Sequence, residues 1–130
     1  MRARSRALLV AGGAALAAPA PAAAALTAAV EREAKLERDG AVRATVRIAC
    51  DASDQVLEAH LGLSQDAGAV SGTGGIGGIV CDGRTRRYRV RVRAFDGAFH
   101  RGPASASAFV LVLQPDGSTE SVSPTGTVRI

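Results

Sequence analysis

The chain has 130 residues, 16 Lys+Arg against 12 Asp+Glu, a formal net charge of +4, one tyrosine, three phenylalanines and no tryptophan. Three of the arginines, Arg2, Arg4 and Arg6, sit at the extreme amino terminus, so the remaining 13 basic residues nearly balance the 12 acidic ones. That balance excludes a general electrostatic case for nucleic-acid binding, and the scarcity of rings removes the stacking platforms that single strands need.

The amino terminus has the pattern of a leader. Arg2, Arg4 and Arg6 form a positive n-region, residues 7–18 an apolar h-region, and Ala23, Ala24 and Ala25 a small-x-small cleavage signal that makes Leu26 the new terminus. The apolar stretch is shorter than the roughly 20 residues that span a bilayer. No cysteine near the cut offers a lipid anchor, and no second apolar segment follows. Residues 1–25 are therefore expected to be a cleaved signal peptide. Residues 26–130 are expected to form one secreted, extracellular domain, with no transmembrane segment after cleavage.

Residues 26–29 read as a frayed lead-in. Val30, Ala34 and Leu36 then alternate with Glu31, Glu33, Lys35 and Glu37, which predicts a strand. A short helix over 31–38 is the competing reading, since these residues favour helix and Glu31 precedes Lys35 by four. Asp39-Gly40 is a hairpin turn signal. Val42, Ala44, Val46, Ile48 and Cys50 alternate with Arg43, Thr45 and Arg47, a half-buried strand. Cys50 and Cys81 are the only cysteines. In an exported chain such a pair predicts a disulfide, for which the chain-entropy model gives about 3–4 kcal/mol. The pair lacks the spacing of a zinc site.

Leu57, Ala59, Leu61 and Leu63 predict the next strand, with Glu58 and His60 facing outward. Residues 72–78 are rich in glycine but lack the Gly-Lys-Ser/Thr ending of a phosphate loop, so they read as a flexible connection. A short strand over 79–81 ends at Asp82-Gly83. Tyr88, Val90, Val92 and Ala94 alternate with Arg87, Arg89, Arg91 and Arg93, the cleanest strand pattern of the chain. Ala104, Ala106, Ala108, Val110 and Val112 form one face of another strand, with Phe109, Leu111 and Leu113 on its other face. After a turn at Pro115-Asp116-Gly117, Val122, Val128 and Ile130 suggest a last edge strand, where Pro124 is tolerated. Seven short strands with turn signals between them predict an all-β fold, a single antiparallel β-sandwich with Greek-key connections.

The arginine-rich and alanine-rich leader, the strand VRATVRIAC, the segment CDGRTRRYRVRVRA and the segment FHRGPASASAFV together resemble small secreted immunoglobulin-like β-sandwich proteins of high-GC Gram-positive bacteria, over about residues 30–130. Fifteen arginines to one lysine suit a GC-rich genome. The resemblance implies fold and compartment only, because such proteins have no characterised function. The chain departs from antibody-type domains in lacking tryptophan and in its short cysteine spacing, so whether the bridge crosses the two sheets stays open.

Two sets of residues are candidates for contact. Arg87, Arg89, Arg91 and Arg93 project from one strand face about 6.6 Å apart, with Arg84, Arg86 and Arg101 as possible neighbours. Guanidinium groups pair with phosphate in bidentate fashion, which fits an anionic cell-envelope polymer. The competing reading is cross-strand pairing, in which Glu31, Glu33 and Glu37 flank Arg43 and Arg47, which in turn flank the row. Phe109, Leu111 and Leu113 form the second set, covered either by the loop carrying Phe95 and Phe99 or by a protein partner. His60 and His100 lack a recognisable nucleophile elbow beside them, and Asp51 and Asp54 lack a calcium-loop spacing. The expectation is a secreted, non-catalytic binding or structural module without cofactor or metal. A docking or dimerising domain is the alternative, and a small secreted protease inhibitor or hydrolase ranks behind both.

Overall fold

The computed structural model describes residues 25–130; the expected leader, apart from Ala25, lies outside the described residues. The strands are β1 (Thr27–Val30), β2 (Lys35–Leu36), β3 (Val42–Ala49), β4 (Gln55–Gln65), β5 (Val70–Gly75), β6 (Arg86–Ala94), β7 (Pro103–Leu113), β8 (Thr119–Val122) and β9 (Thr125–Arg129), with one 3-10 turn at Asp66–Gly68. No helix among the described residues is long and apolar enough to cross a membrane. All strand pairs are antiparallel, in the order β1-β3-β6-β5-β4-β7-β8, with β2 also on β3 and β9 also on β7.

The sheet curls until its ends nearly meet. The Arg129 amide donates to the Arg32 carbonyl at 2.7 Å, and the Ala34 amide donates to the Arg129 carbonyl at 2.9 Å. Inside lie Val42, Ala44, Val46 and Ile48 of β3, Leu61 and Leu63 of β4, Val90 and Val92 of β6, and Ala106, Ala108, Val110 and Val112 of β7. Each fully buried Val, Leu or Ile contributes about 1.5–3 kcal/mol. Period-two alternation places the polar residues between them outside.

Several expectations need correction. There are nine strands rather than seven: the first and last segments are each broken in two, and the strand expected over 79–81 is absent while β5 forms in its place upstream. Leu26 is buried and Thr27–Val30 pairs with β3, so this segment is ordered and not a frayed lead-in. Residues 31–38 form no helix and are strand only at Lys35–Leu36. A bulge between Val56 and Glu58 leaves Leu57 49% exposed and turns Val56 toward the core; the extra residue breaks the alternation read from Leu57. Residues 79–81 are not a strand. They belong to a connection tied to the end of β3 by the Cys50–Cys81 disulfide, with the Val80 amide donating to Tyr88 Oη at 3.0 Å. Pro124 falls between β8 and β9, its carbonyl accepting from the Ala108 amide at 3.0 Å.

The glycine run is not a flexible connection over its whole length. Its first four residues are part of β5, paired residue by residue with β4, and β5 continues onto β6 at Gly72 and Thr73. A Cβ at Gly72 would lie 2.1 Å from the Arg93 carbonyl oxygen, and one at Gly74 would lie 2.4 Å from that of Arg91. Only glycine lets these backbones approach so closely. Gly72→Ala is therefore expected to cost about 1–3 kcal/mol as an overpacking change, while Gly75→Ala, whose Cβ meets nothing within 4 Å, should stay within about 0.5 kcal/mol. Urea-denaturation midpoints of the two variants would check this.

Candidate anion-binding face

Alternation along β6 turns Val90 and Val92 inward and Arg87, Arg89, Arg91 and Arg93 outward. The neighbouring β3 does the same with Arg43, Thr45 and Arg47. Their register sets Arg43 opposite Arg91, Thr45 opposite Arg89 and Arg47 opposite Arg87. Like charges directly opposite on adjacent strands destabilise a sheet, so these two arginine pairs need anions between them.

The segment around β2 provides them. The Glu31 amide donates to the Thr45 carbonyl at 2.9 Å, which fixes Glu31 beside β3. Its carboxylate takes a bidentate pair from Arg87, at 2.6 and 2.8 Å, and lies 4.0 Å from Arg47 Nε. Glu37 accepts from Arg43 Nη2 at 2.8 Å and from Arg91 Nε at 2.7 Å. Asp39 accepts a further bond from Arg91, and Arg93 Nη2 lies 3.2 Å from it. Each carboxylate thus stands between two guanidinium groups. Hydrogen bonding from Arg87 holds the Glu31 carboxyl below its ordinary range, and that from Arg91 does the same for Glu37. For Asp39 the main cause is the Ala41 amide, followed by Arg91. Arg87 and Arg91 are raised by the same hydrogen bonds.

Of the four arginines read from the sequence, three are therefore already paired. Arg89 has no carboxylate within ion-pair distance among the described residues. It stands across from Thr45 on a surface groove that Lys35, Arg43 and Arg87 also line, together with Glu31 and Glu33. Arg86 is bound to Asp82, its Nε at 3.1 Å. Arg101 lies in the β6–β7 connection next to His100 rather than on this row. The glutamate partners were visible in the sequence as outward residues of the first segment. Asp39 was not, because a hairpin signal specifies the turn and not where the aspartate's carboxylate reaches.

The other candidate set lies on the far half of the sheet. Phe109, Leu111 and Leu113 are half-buried, facing His60 and Glu58 of β4 and Ser121 and Thr119 of β8. The His60 ring stacks on Phe109 with centroids 5.5 Å apart, and His60 Nε2 lies 3.0 Å from Glu58 Oε2. Phe99 is in the core and Phe95 is 73% exposed beside Gly62 and Thr73, so His60 rather than that loop covers Phe109. His100 is paired with Asp66. No group of three or more His, Cys, Asp or Glu side chains able to hold a metal occurs among the described residues.

Because the folded-state carboxyls of Glu31, Glu37 and Asp39 are depressed, their pairs stabilise the fold above the ordinary carboxylate range and are lost as pH falls through the lowered values. Glu31→Gln should leave Arg47 and Arg87 opposed without an anion. The expected result is a lower thermal midpoint at neutral pH, partly restored by added salt, and a shallower acid-denaturation profile than that of the unmodified chain.

The chain matches no known protein family, no curated protein and no solved structure.

Proposed function

We propose that this chain is an exported, non-catalytic module that holds anionic cell-envelope polymers against the outer face of β3 and β6, with Arg89 as the principal contact. The observation that carries this reading is the uncompensated Arg89 in a row whose other members are neutralised. Its guanidinium offers five donors in a planar fork and, unlike its neighbours, has no carboxylate to leave before it can meet a phosphate. Lys35 on the same groove adds long-range attraction that salt would screen.

Export is supported by the leader pattern and by the disulfide, which persists in oxidising compartments. The immunoglobulin-like sandwich reading draws support from strand order. With β1, β3 and β6 taken as A, B and E and β4, β7 and β9 as C, F and G, the neighbours follow the order of that fold, while β5 lies on the C strand and touches E only at its tail. A second reading, docking through Phe109, Leu111 and Leu113, is favoured by Leu57, which the bulge leaves exposed next in sequence to Glu58, the residue opposite Leu111.

Co-sedimentation with Gram-positive envelopes across a salt series tests the proposal. Binding should fade with salt. Arg89→Gln should weaken it by about tenfold, the worth of one charged hydrogen-bonded contact. Arg91→Gln makes the same change in net charge at a residue already paired and should weaken it much less. Equal losses in the two variants, or no binding at low salt, would remove Arg89 as a site.

A further inference from the structure

Away from the arginine face, the turn between β4 and β5 has an unusual construction. Asp66 and Ala67 have φ of 56° and 54°, and Gly68 has 93°. Three successive left-handed residues are costly for L-side chains, and Ala67 has no polar group to offset the cost locally.

The turn is closed by the Ala69 amide, which donates to the Asp66 carbonyl at 3.1 Å, and its side-chain contact comes from one residue of the β6–β7 connection. His100 Nε2 lies 2.9 Å from Asp66 Oδ2, and His100 Nδ1 lies 2.9 Å from the Arg101 carbonyl oxygen. Both ring nitrogens face acceptors, which only the doubly protonated imidazole can satisfy. The peptide of His100 is fixed independently. Its amide donates to Gln65 Oε1 at 3.0 Å and its carbonyl accepts from Gln65 Nε2 at 2.8 Å, with Gln65 buried. The connection is anchored at both ends, the Phe95 amide donating to the Ser71 carbonyl at 2.8 Å and Gly102 exchanging two backbone bonds with Ile130. With the backbone fixed, loss of the proton changes only what the ring offers to Asp66 and Arg101.

We infer that the Asp66–Gly68 turn is a pH-responsive element, locked in its left-handed form by protonated His100 and released when that proton is lost. Neutral imidazole leaves a nitrogen lone pair against either the Asp66 carboxylate or the Arg101 carbonyl, so one of the two contacts becomes repulsive. The remaining groups around the turn, Gln65, Pro103 and Thr127, are uncharged. The guanidinium groups of Arg101 and of Arg129, whose backbone pairs with Pro103, have no ion-pair partner among the described residues. The Arg101 carbonyl and then the Asp66 carboxylate raise the His100 pKa above the ordinary value of 6.5. The lock is therefore complete below that value and is lost as pH rises through the higher folded-state one. The turn borders a cleft shared with Ser64, Pro103, Ser105 and Thr127, so its release reshapes that end of the sheet.

Imidazole and backbone NMR between about pH 5 and about pH 9 tests the inference across the histidine range. His100 should titrate above its ordinary midpoint, and the amide shifts of Asp66, Ala67 and Gly68 should follow the same midpoint. Asp66→Asn should lower that midpoint, and His100→Gln should make the turn amides independent of pH. A His100 midpoint at or below the ordinary value, or turn amides in the unmodified chain that ignore its titration, would overturn the inference without reference to either variant.

Discussion

Pairing β3 with β6 puts arginine opposite arginine twice, at Arg43–Arg91 and at Arg47–Arg87. Such a register is unfavourable in isolation, and much of that face follows from how it is relieved. Glu31 and Glu37 each sit between the two members of one pair, and the segment carrying them is held beside β3 by backbone bonds at Thr45 and Ala41. The middle row, Thr45 opposite Arg89, carries no like-charge conflict, and no carboxylate among the described residues pairs with it. That Arg89 has no carboxylate partner among the described residues is thus a consequence of where the conflicts lie, and the proposed contact with anionic polymers rests on it.

What fixes the register is the core beneath. Val42, Ala44, Val46 and Ile48 alternate with the outward residues of β3, and Val90 and Val92 with those of β6, so a slip of one residue would bury guanidinium groups. The curl of the sheet adds a second restraint. Because β5 lies against β6 with glycine at the contact positions, the charged half and the nearly uncharged half of the sheet are continuous through one short ladder of two pairs. The ionic face and the hydroxyl-rich face around Gly62, Ser64, Ser105 and Ser107 belong to one curled sheet with one core.

Much of this was legible in the residues. The all-β class, the outward arginines, the core face of β3 and the cysteine pair follow from period-two patterning and from simple counting. The misses share a cause, which is that alternation says nothing about where a chain departs from it. The bulge at Leu57 turns Leu57 outward and Val56 toward the core with no local mark in the sequence. Glycine at 72 and 74 looks like looseness until the carbonyls of Arg93 and Arg91 are placed beside it. Asp39 serves both the turn, through the Ala41 amide, and two arginines of a strand some fifty residues away. The His100–Asp66 pair likewise depends on two connections that only the folded sheet brings together. Long-range partners of short polar side chains leave no periodic trace.

Arg89 of the β6 row has no carboxylate partner among the described residues and is open to an anion, while Arg87, Arg91 and Arg93 are engaged. Observation of the arginine Nε–Hε signals by NMR during titration with inorganic polyphosphate tests it most directly. The Arg89 signal should move at the lowest polyphosphate concentration while those of Arg87 and Arg91, bonded to Glu31 and Glu37 through the same Nε atoms, hold their positions. Movement of Arg87 and Arg91 ahead of Arg89, or of all four together, would contradict it.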